Sequence, residues 1–418
     1  MRLIIHRGSN QVGGICIEIA YGGTTIIIDA GLPLDHDNQQ SVESVLPQPL
    51  FDDLQKGKKK VDAVLLSHAH MDHYGLIDNF PAGTKFYCGE ATADLINITN
   101  RLHAMPTVHD PITTFQPWRE FKIGHFCIKP YLMDHSAFGA NGFLVSANGK
   151  SIFFTGDFRG HGRKSKLLKR LIENPPKVDA LLMEGTLIGE RASEQTVSEA
   201  ELEEKFLNEM DDGSGIVIVT TSSQNIDRLV TVFRAAKRSG RMFIIDFYTA
   251  EILEILKKYA NLPNAEWPRI RVCFPGPLAK RFEQLGLQEI LARHRANGIR
   301  WTRINEIRER AVMLMRPGFL PHLKRSINLE GAVWIYSMWR GYLDRSKSLT
   351  NMKNYLEDKG VKFCAMHTSG HATISDLKSL VEAMRPESVI PIHSFYPENY
   401  ERYFDNVIKL DDGEEFSL

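Results

Sequence analysis

Three imidazoles and one carboxylate fall within residues 68–73, in Ser67-His68-Ala69-His70-Met71-Asp72-His73. The cluster directly follows the apolar run Val61-Asp62-Ala63-Val64-Leu65-Leu66. A short β-branched and leucine-rich run of this kind predicts a buried strand. The cluster therefore sits at a strand's carboxyl end, entering a loop and then a helix. Alternate residues of an extended backbone point the same way, so His68 and His70 can share one face. The turn that follows can carry Asp72 and His73 to a second centre nearby. Imidazole and carboxylate suit Zn²⁺ or Mn²⁺. A solvated, His-rich surface loop is the plain alternative, but it does not account for these residue types at this spacing after a buried strand.

The remainder of the chain must supply a scaffold. Its 418 residues allow one large or two medium domains, and 43% hydrophobic content is ample for a sizeable core. The formal net charge is zero, so global charge argues for no particular partner, although local patches can still steer a polyanion. Five scattered cysteines without a C-x-x-C pair read as reduced thiols of a cytoplasmic protein. No apolar leader precedes the first strand, and no run approaches the roughly 18 residues needed to cross a bilayer. Secretion and a membrane partner are not expected.

Up to Thr186 the chain alternates short apolar runs with turns. Strands are expected at Leu3–Ile5, Ile15–Ile19, Thr25–Ile28, Ala63–Leu66, Phe126–Ile128, Gly142–Val145 and Ala180–Met183, with a helix over Glu90–Leu102. Gly189-Glu190-Arg191-Ala192-Ser193-Glu194 reads as a polar connection. Ser198 then opens a helix with acidic residues in its first turn. From Gly215 strands and helices alternate, which predicts a parallel α/β unit. Near the end, His367-Thr368-Ser369-Gly370-His371-Ala372 and Pro391-Ile392-His393-Ser394 each follow an apolar strand.

The H-x-H-x-D-H pattern resembles the signature of the metallo-β-lactamase superfamily. That resemblance asks for an Asp after an early strand, matched by Asp29-Ala30-Gly31. It asks for a later loop His, matched by His135 in Leu132-Met133-Asp134-His135-Ser136. It asks for an Asp after a hydrophobic strand, matched by Asp157 in Ile152-Phe153-Phe154-Thr155-Gly156-Asp157. The late His motifs resemble the β-CASP branch, whose members are nucleic-acid-processing nucleases. Its acidic motif is matched by Glu184 in Met183-Glu184-Gly185-Thr186, and its two His motifs by His371 and His393. The H-T-S-G-H-A segment and Ser222-Ser223-Gln224-Asn225-Ile226-Asp227-Arg228 look most like ribonuclease J. The implied fold is α/β: a metallo-β-lactamase αββα sandwich with an inserted parallel α/β (β-CASP) domain. The expected division is residues 1–190, an insert over 191–350, and a completing part over 351–418. The chain is expected to lack the C-terminal domain with which many ribonuclease J proteins dimerise, and a homo-oligomer is left open.

Carried over residue by residue, the resemblance assigns two divalent cations, zinc first and manganese as the alternative. His68, His70 and His135 would hold one. Asp72, His73 and His393 would hold the other, with Asp157 bridging. Asp72 would also orient the attacking water. Asp29 would brace the loop from behind the ligands. His371 would be the general acid, since an imidazolium can protonate a departing sugar oxygen, and Glu184 would support it. Ser222, Ser223 and Asn225 open one helix, and His367, Thr368, Ser369 and Gly370 precede another. Both sets are candidates for phosphate or RNA binding, with ordinary helix capping as the alternative.

Three further stretches stay open. Arg159-Gly160-His161-Gly162-Arg163-Lys164 is either a grip on a polyanion or a solvated loop. Trp334 and Tyr336 either stack bases or pack in the core. His103 and His109 match no motif. The leading reading is a two-metal hydrolase of single-stranded RNA, an endonuclease with 5′ to 3′ exonuclease activity open, its substrate in a cleft between the two parts. A DNA or small-ester hydrolase and a catalytically silent RNA-processing subunit are the alternatives.

Overall fold

The computed structural model describes residues 1–36, 41–103, 112–193 and 196–418. His109, Glu194 and the side chain of His103 lie outside the described set. In chain order the first strands are β1 (Arg2–Arg7), β2 (Cys16–Tyr21), β3 (Thr24–Ile28), β4 (Ala63–Leu65), β5 (Phe86–Gly89) and β6 (Thr113–Phe115). Then come β7 (Phe121–Ile123), β8 (Phe126–Leu132), β9 (Asn141–Ala147), β10 (Lys150–Phe154) and β11 (Ala180–Glu184). A second group follows: β12 (Val217–Thr220), β13 (Met242–Asp246), β14 (Ile270–Cys273), β15 (Ala311–Leu314), β16 (Val333–Tyr336) and β17 (Lys362–Ala365). The chain closes with β18 (Ser388–Ile392) and β19 (Glu415–Ser417). Among the described residues no helix is long and apolar enough to cross a membrane.

The chain divides into two units. The first comprises residues 1–101, 105–195 and 370–418, the second residues 102–104 and 196–369. In the first, one sheet runs β19-β1-β2-β3-β4-β5-β6 and the other β18-β11-β10-β9-β8-β7. Successive strand residues face opposite ways, so each sheet offers one face to the other. Ile17, Ile19, Ile26 and Ile28 of one sheet share a core with Phe143, Val145, Ile152 and Phe154 of the other. The opposite face of the second sheet, with Phe153, Leu181 and Met183, packs on Leu168 and Leu171 of helix Lys166–Glu173 and on Leu377 and Leu380 of helix Ile374–Met384. Covering on both faces explains why residues 152–154 of β10 and 180–183 of β11 are apolar without alternation.

Register brings the motifs to one end of this sandwich. Parallel pairing matches Ile28 with Leu65, so Asp29 and the His68 loop leave neighbouring strands at the same level. Parallel pairing of β11 with β18 matches Glu184 with Ile392, which sets His393 next to the Glu184 level. Parallel pairing of β10 with β11 matches Phe154 with Leu182, so Asp157 emerges at that end too.

The second unit is a parallel sheet of order β14-β13-β15-β12-β16-β17. Ser198 caps helix Glu199–Asp212 with a reciprocal capping box to Glu201. Trp334 and Tyr336 are fully buried in this unit's core, so they stack no bases. The expected return to the first unit at residue 351 comes later, at Gly370. Helix Lys347–Asp358 packs in the second core through Met352 and Leu356, and β17 extends that sheet beside β16. An apolar strand carries no mark of which sheet it joins, so residue 351 was not a readable boundary.

Candidate metal centre

The loop of residues 67–73 is clamped from behind by the residues after β3. Asp29 is fully buried, and its backbone is left-handed at φ 57°. Its carboxylate accepts from Ser67 N–H, Ser67 Oγ and His73 Nδ1, each at 2.7 Å. Ala30 N–H donates to His73 O (2.8 Å), and Leu32 N–H to Met71 O (2.9 Å). Gly31 is required here: a Cβ at this position would lie 1.7 Å from Asp72 O. The early D-A-G motif thus fixes the loop through hydrogen bonds and close backbone approach.

Most of the motif imidazoles have one nitrogen tied to the protein, which turns the other inward. The single Ser67 hydroxyl proton is directed to Asp29, so Ser67 Oγ accepts from His68 Nδ1 (3.0 Å). His135 Nδ1 donates to Gly370 O (2.7 Å), and His393 Nδ1 lies 2.7 Å from Thr186 Oγ1. The inward nitrogens converge. His68 Nε2 and His135 Nε2 lie 3.1 and 3.3 Å from His70 Nδ1. His393 Nε2 lies 3.6 Å from Asp72 Oδ2. Asp157 reaches both groups: its Oδ2 is 3.3 Å from His73 Nε2, 3.9 Å from His68 Nε2 and 3.8 Å from His135 Nε2, and its Oδ1 is 3.7 Å from His393 Nε2. The ligand atoms of His68, His70 and His135 lie within 4.8 Å of one another, as do those of Asp72, His73 and His393.

This geometry fits divalent metal. His73 Nε2 and His393 Nε2 are buried and make no hydrogen bond, an arrangement that is costly unless a cation takes the lone pairs. The electrostatics of His68, His135 and the two carboxylates agree. Burial drives the His68 and His135 imidazoles well below their ordinary range, and neighbouring imidazoles add to it, so both favour the neutral form that ligates. Burial would raise the Asp157 carboxyl, but His393, His73 and His371 outweigh it and hold it well below the usual range. Asp72 is likewise brought down to about 2, with burial opposed chiefly by His73 and His393. His73 is pushed the other way: burial lowers it, but Asp157, Asp72 and Asp29 raise it well above an ordinary imidazole.

His371 stands at the edge of this group. Its Nδ1 is 3.8 Å from Asp157 Oδ2 and 3.4 Å from Glu184 Oε1. Burial lowers its pKa, and Glu184 and Asp157 raise it to a net value above the ordinary one. Glu184 is fully buried and takes Phe158 N–H (3.3 Å), Ala372 N–H (3.0 Å) and Thr186 N–H (3.1 Å). It therefore holds together the backbones that follow Asp157 and His371. Sequence reasoning missed Thr186, whose Oγ1 lies 2.7 Å from His393 Nδ1 and 3.2 Å from His371 Nδ1. The available signal was its place two residues after Glu184 in the same motif.

The other candidates are placed differently. In the basic loop after Asp157, Arg159 is fully buried and faces Asp134, while Lys164 Nζ donates to His135 O (3.0 Å). Both cations hold the His135 loop, and Arg159, being fully buried, is withdrawn from any polyanion. Gly370 belongs to the first unit and receives the His135 bond. Ser222, Ser223, Asn225, His367, Thr368 and Ser369 belong to the second unit. There Asn225 caps helix Ile226–Arg238 by accepting from Arg228 N–H (3.0 Å). Ser223 is buried and bonded to Thr249 Oγ1 (2.6 Å), and Thr368 Oγ1 donates to Val197 O (2.5 Å). Ser222 is exposed.

Comparison with known proteins fits this arrangement. Residues 11–184 match the Metallo-beta-lactamase superfamily, and residues 365–400 match the Zn-dependent metallo-hydrolase RNA specificity domain. An RNase J-like protein of Methanocaldococcus jannaschii is 25% identical over 64% of this chain and 63% of its own length. Ribonuclease J 2 of Streptococcus pyogenes is 23% identical over 95% of this chain and 70% of its own. The chain is a ribonuclease J-like member of the metallo-β-lactamase superfamily, of the β-CASP kind. The ribonuclease J-like chain spans less than two thirds of the first of these relatives. A crystal structure described as a protein of unknown function from Enterococcus faecalis V583 shares the fold, with a TM-score of 0.80, 21% identity, and coverage of 100% of this chain and 99% of that one.

Proposed function

We propose that this protein is a two-metal phosphodiester hydrolase of single-stranded RNA, with zinc as the expected cation and manganese as the alternative. One observation carries the reading: the Asp157 carboxylate lies within 4 Å of inward imidazole nitrogens from both ligand groups, with His371 beside it. His68, His70 and His135 would hold one cation and Asp72, His73 and His393 the other. When bound, the cations would supply Lewis acidity for water activation and for offsetting charge on the phosphoryl group. The protein's own groups do the rest. Asp72 orients the attacking water. His371, whose charged form is favoured by Glu184 and Asp157 over the cost of burial, would donate its proton to the leaving sugar oxygen. Glu184 and Thr186 hold that imidazole in place.

RNA as substrate rests on two supports. The relatives above are named RNase J-like protein and Ribonuclease J 2. The matched RNA specificity segment also spans both His371 and His393. The test maps products from one RNA carrying a 5′-triphosphate, 5′-monophosphate or 5′-hydroxyl. Internal fragments from all three mean endonuclease activity. Mononucleotides accumulating from the monophosphate form mean added 5′ to 3′ exonuclease activity. An RNA left intact by metal-loaded protein would remove the reading.

A further inference from the structure

The second unit contains a pocket of about 450 Å³ at the carboxyl ends of its parallel strands. Its walls come from the segments after β12, β13, β15 and β16. This location has a topological reason. From β12 the chain leads to β13 and β14 on one side of the sheet, and from β15 it crosses to β16 and β17 on the other. Connections that part at adjacent strands leave a crevice, and open α/β sheets bind ligands at such places.

The chemistry of the walls narrows the ligand. Arg316 Cζ lies 4.8 Å from the centre of the Tyr248 ring, so guanidinium and ring form one stack. The guanidinium is fixed by Thr249 Oγ1 (3.2 Å), by Ser223 Oγ and by the buried Asp246 carboxylate (3.3 Å). Asp246 already balances the arginine's charge, so the pocket does not call for an anion. Met338 and Leu349 give it apolar surface, while Gln224 and Ser348 bring polar edges. Gln224 Nε2 donates to Tyr248 Oη at 3.4 Å, which links the polar edge to the stack. A planar group with apolar faces and hydrogen-bonding edges matches these walls. Aromatic rings and arginine planes are both platforms for stacked bases.

We propose that this pocket binds one unstacked nucleobase of the RNA strand, held against the Tyr248–Arg316 stack. The ligand is a neutral base, not a phosphate. The inference rests on the RNA reading above for the source of the base, but its test is separate from hydrolysis.

The experiment measures binding of adenosine, guanosine, cytidine and uridine to the intact chain, with inorganic phosphate as the competing anion. Wild type is compared with Tyr248→Ala and Ser348→Trp. The second change starts from an exposed residue and fills the pocket mouth without opening the core. Nucleosides are expected to bind wild type, with phosphate failing to compete. Tyr248→Ala should weaken binding roughly tenfold, and Ser348→Trp should do at least as much. A single-stranded RNA with phosphorothioate linkages should displace the nucleoside. Absence of nucleoside binding, equal binding by Ser348→Trp, competition by phosphate, or no displacement by RNA would each overturn the proposal. Nucleoside binding by a protein that leaves RNA uncut would overturn the hydrolase reading and keep the pocket. Cleaved RNA without nucleoside binding would do the reverse.

Discussion

Asp29→Asn isolates the role of the buried brace without changing the side chain's size. Asparagine tolerates the left-handed backbone at φ 57°, so backbone strain does not confuse the result. The carboxylate of Asp29 is acceptor-only and serves three donors at 2.7 Å. An amide oxygen can still serve Ser67 N–H. The NH₂ group then faces His73 Nδ1 and Ser67 Oγ, where acceptors are now needed. Ser67 can rotate its hydroxyl, but His73 can accept only by giving up its Nδ1 proton, which leaves the ring's remaining proton on Nε2. That is the atom aimed at Asp157 and the inner group. Metal-free Asp29→Asn should lose on the order of 2 kcal/mol of stability, the worth of one hydrogen bond to a charged group. Its affinity for the metal held by His73 should fall roughly 10–100-fold. Chelator competition measures the affinity, denaturant titration the stability, and nitrogen-detected NMR the His73 tautomer. Wild-type affinity with an inverted tautomer would refute the reasoning, because the proton on Nε2 would then be irrelevant.

Further predictions concern other parts of the molecule. His371→Ala should keep its metal content and cleave RNA slower by roughly 10²-fold or more; an unchanged single-turnover rate would remove it from proton transfer. Gly31→Ala puts a methyl 1.7 Å from Asp72 O, against backbone that cannot yield, and should cost about 3 kcal/mol or more; thermal melting checks this, and a shift within error would show that the loop can move aside. Burial would raise the Glu18 carboxyl, but bonds from His6 (2.8 Å) and Lys59 (2.6 Å) hold it at about 2. A carboxyl depressed on folding stabilises above its unfolded value and loses that contribution as pH falls through its folded value. The stability gap between wild type and Glu18→Gln should therefore be full above about pH 4.5 and close towards pH 2; a gap constant over that range would contradict the assignment.

The sandwich and its candidate ligands were readable because their signals are local. Asp29, His68, His135, Asp157 and His393 each follow an apolar strand, and parallel register then delivers strand ends to one level. The insert was readable from its strand-helix alternation, but its far boundary was not, since β17 would read alike in either sheet. The partners behind the ligands were only partly legible. Thr186 sits within a recognisable motif, but a hydroxyl's use depends on which imidazole nitrogens fold onto it. Arg159 looked like a surface cation, and only the packing shows it buried against Asp134. The stack of Tyr248 on Arg316 joins residues from two separate strand ends, and no spacing rule links them.

The most direct test of the central claim follows one preparation through metal removal and return. Metal content is counted by elemental analysis while hydrolysis of a labelled single-stranded RNA is followed. Up to two divalent ions per chain are expected, with loss of hydrolysis on chelation and recovery as zinc or manganese is added back. Full hydrolysis by metal-stripped protein would contradict it.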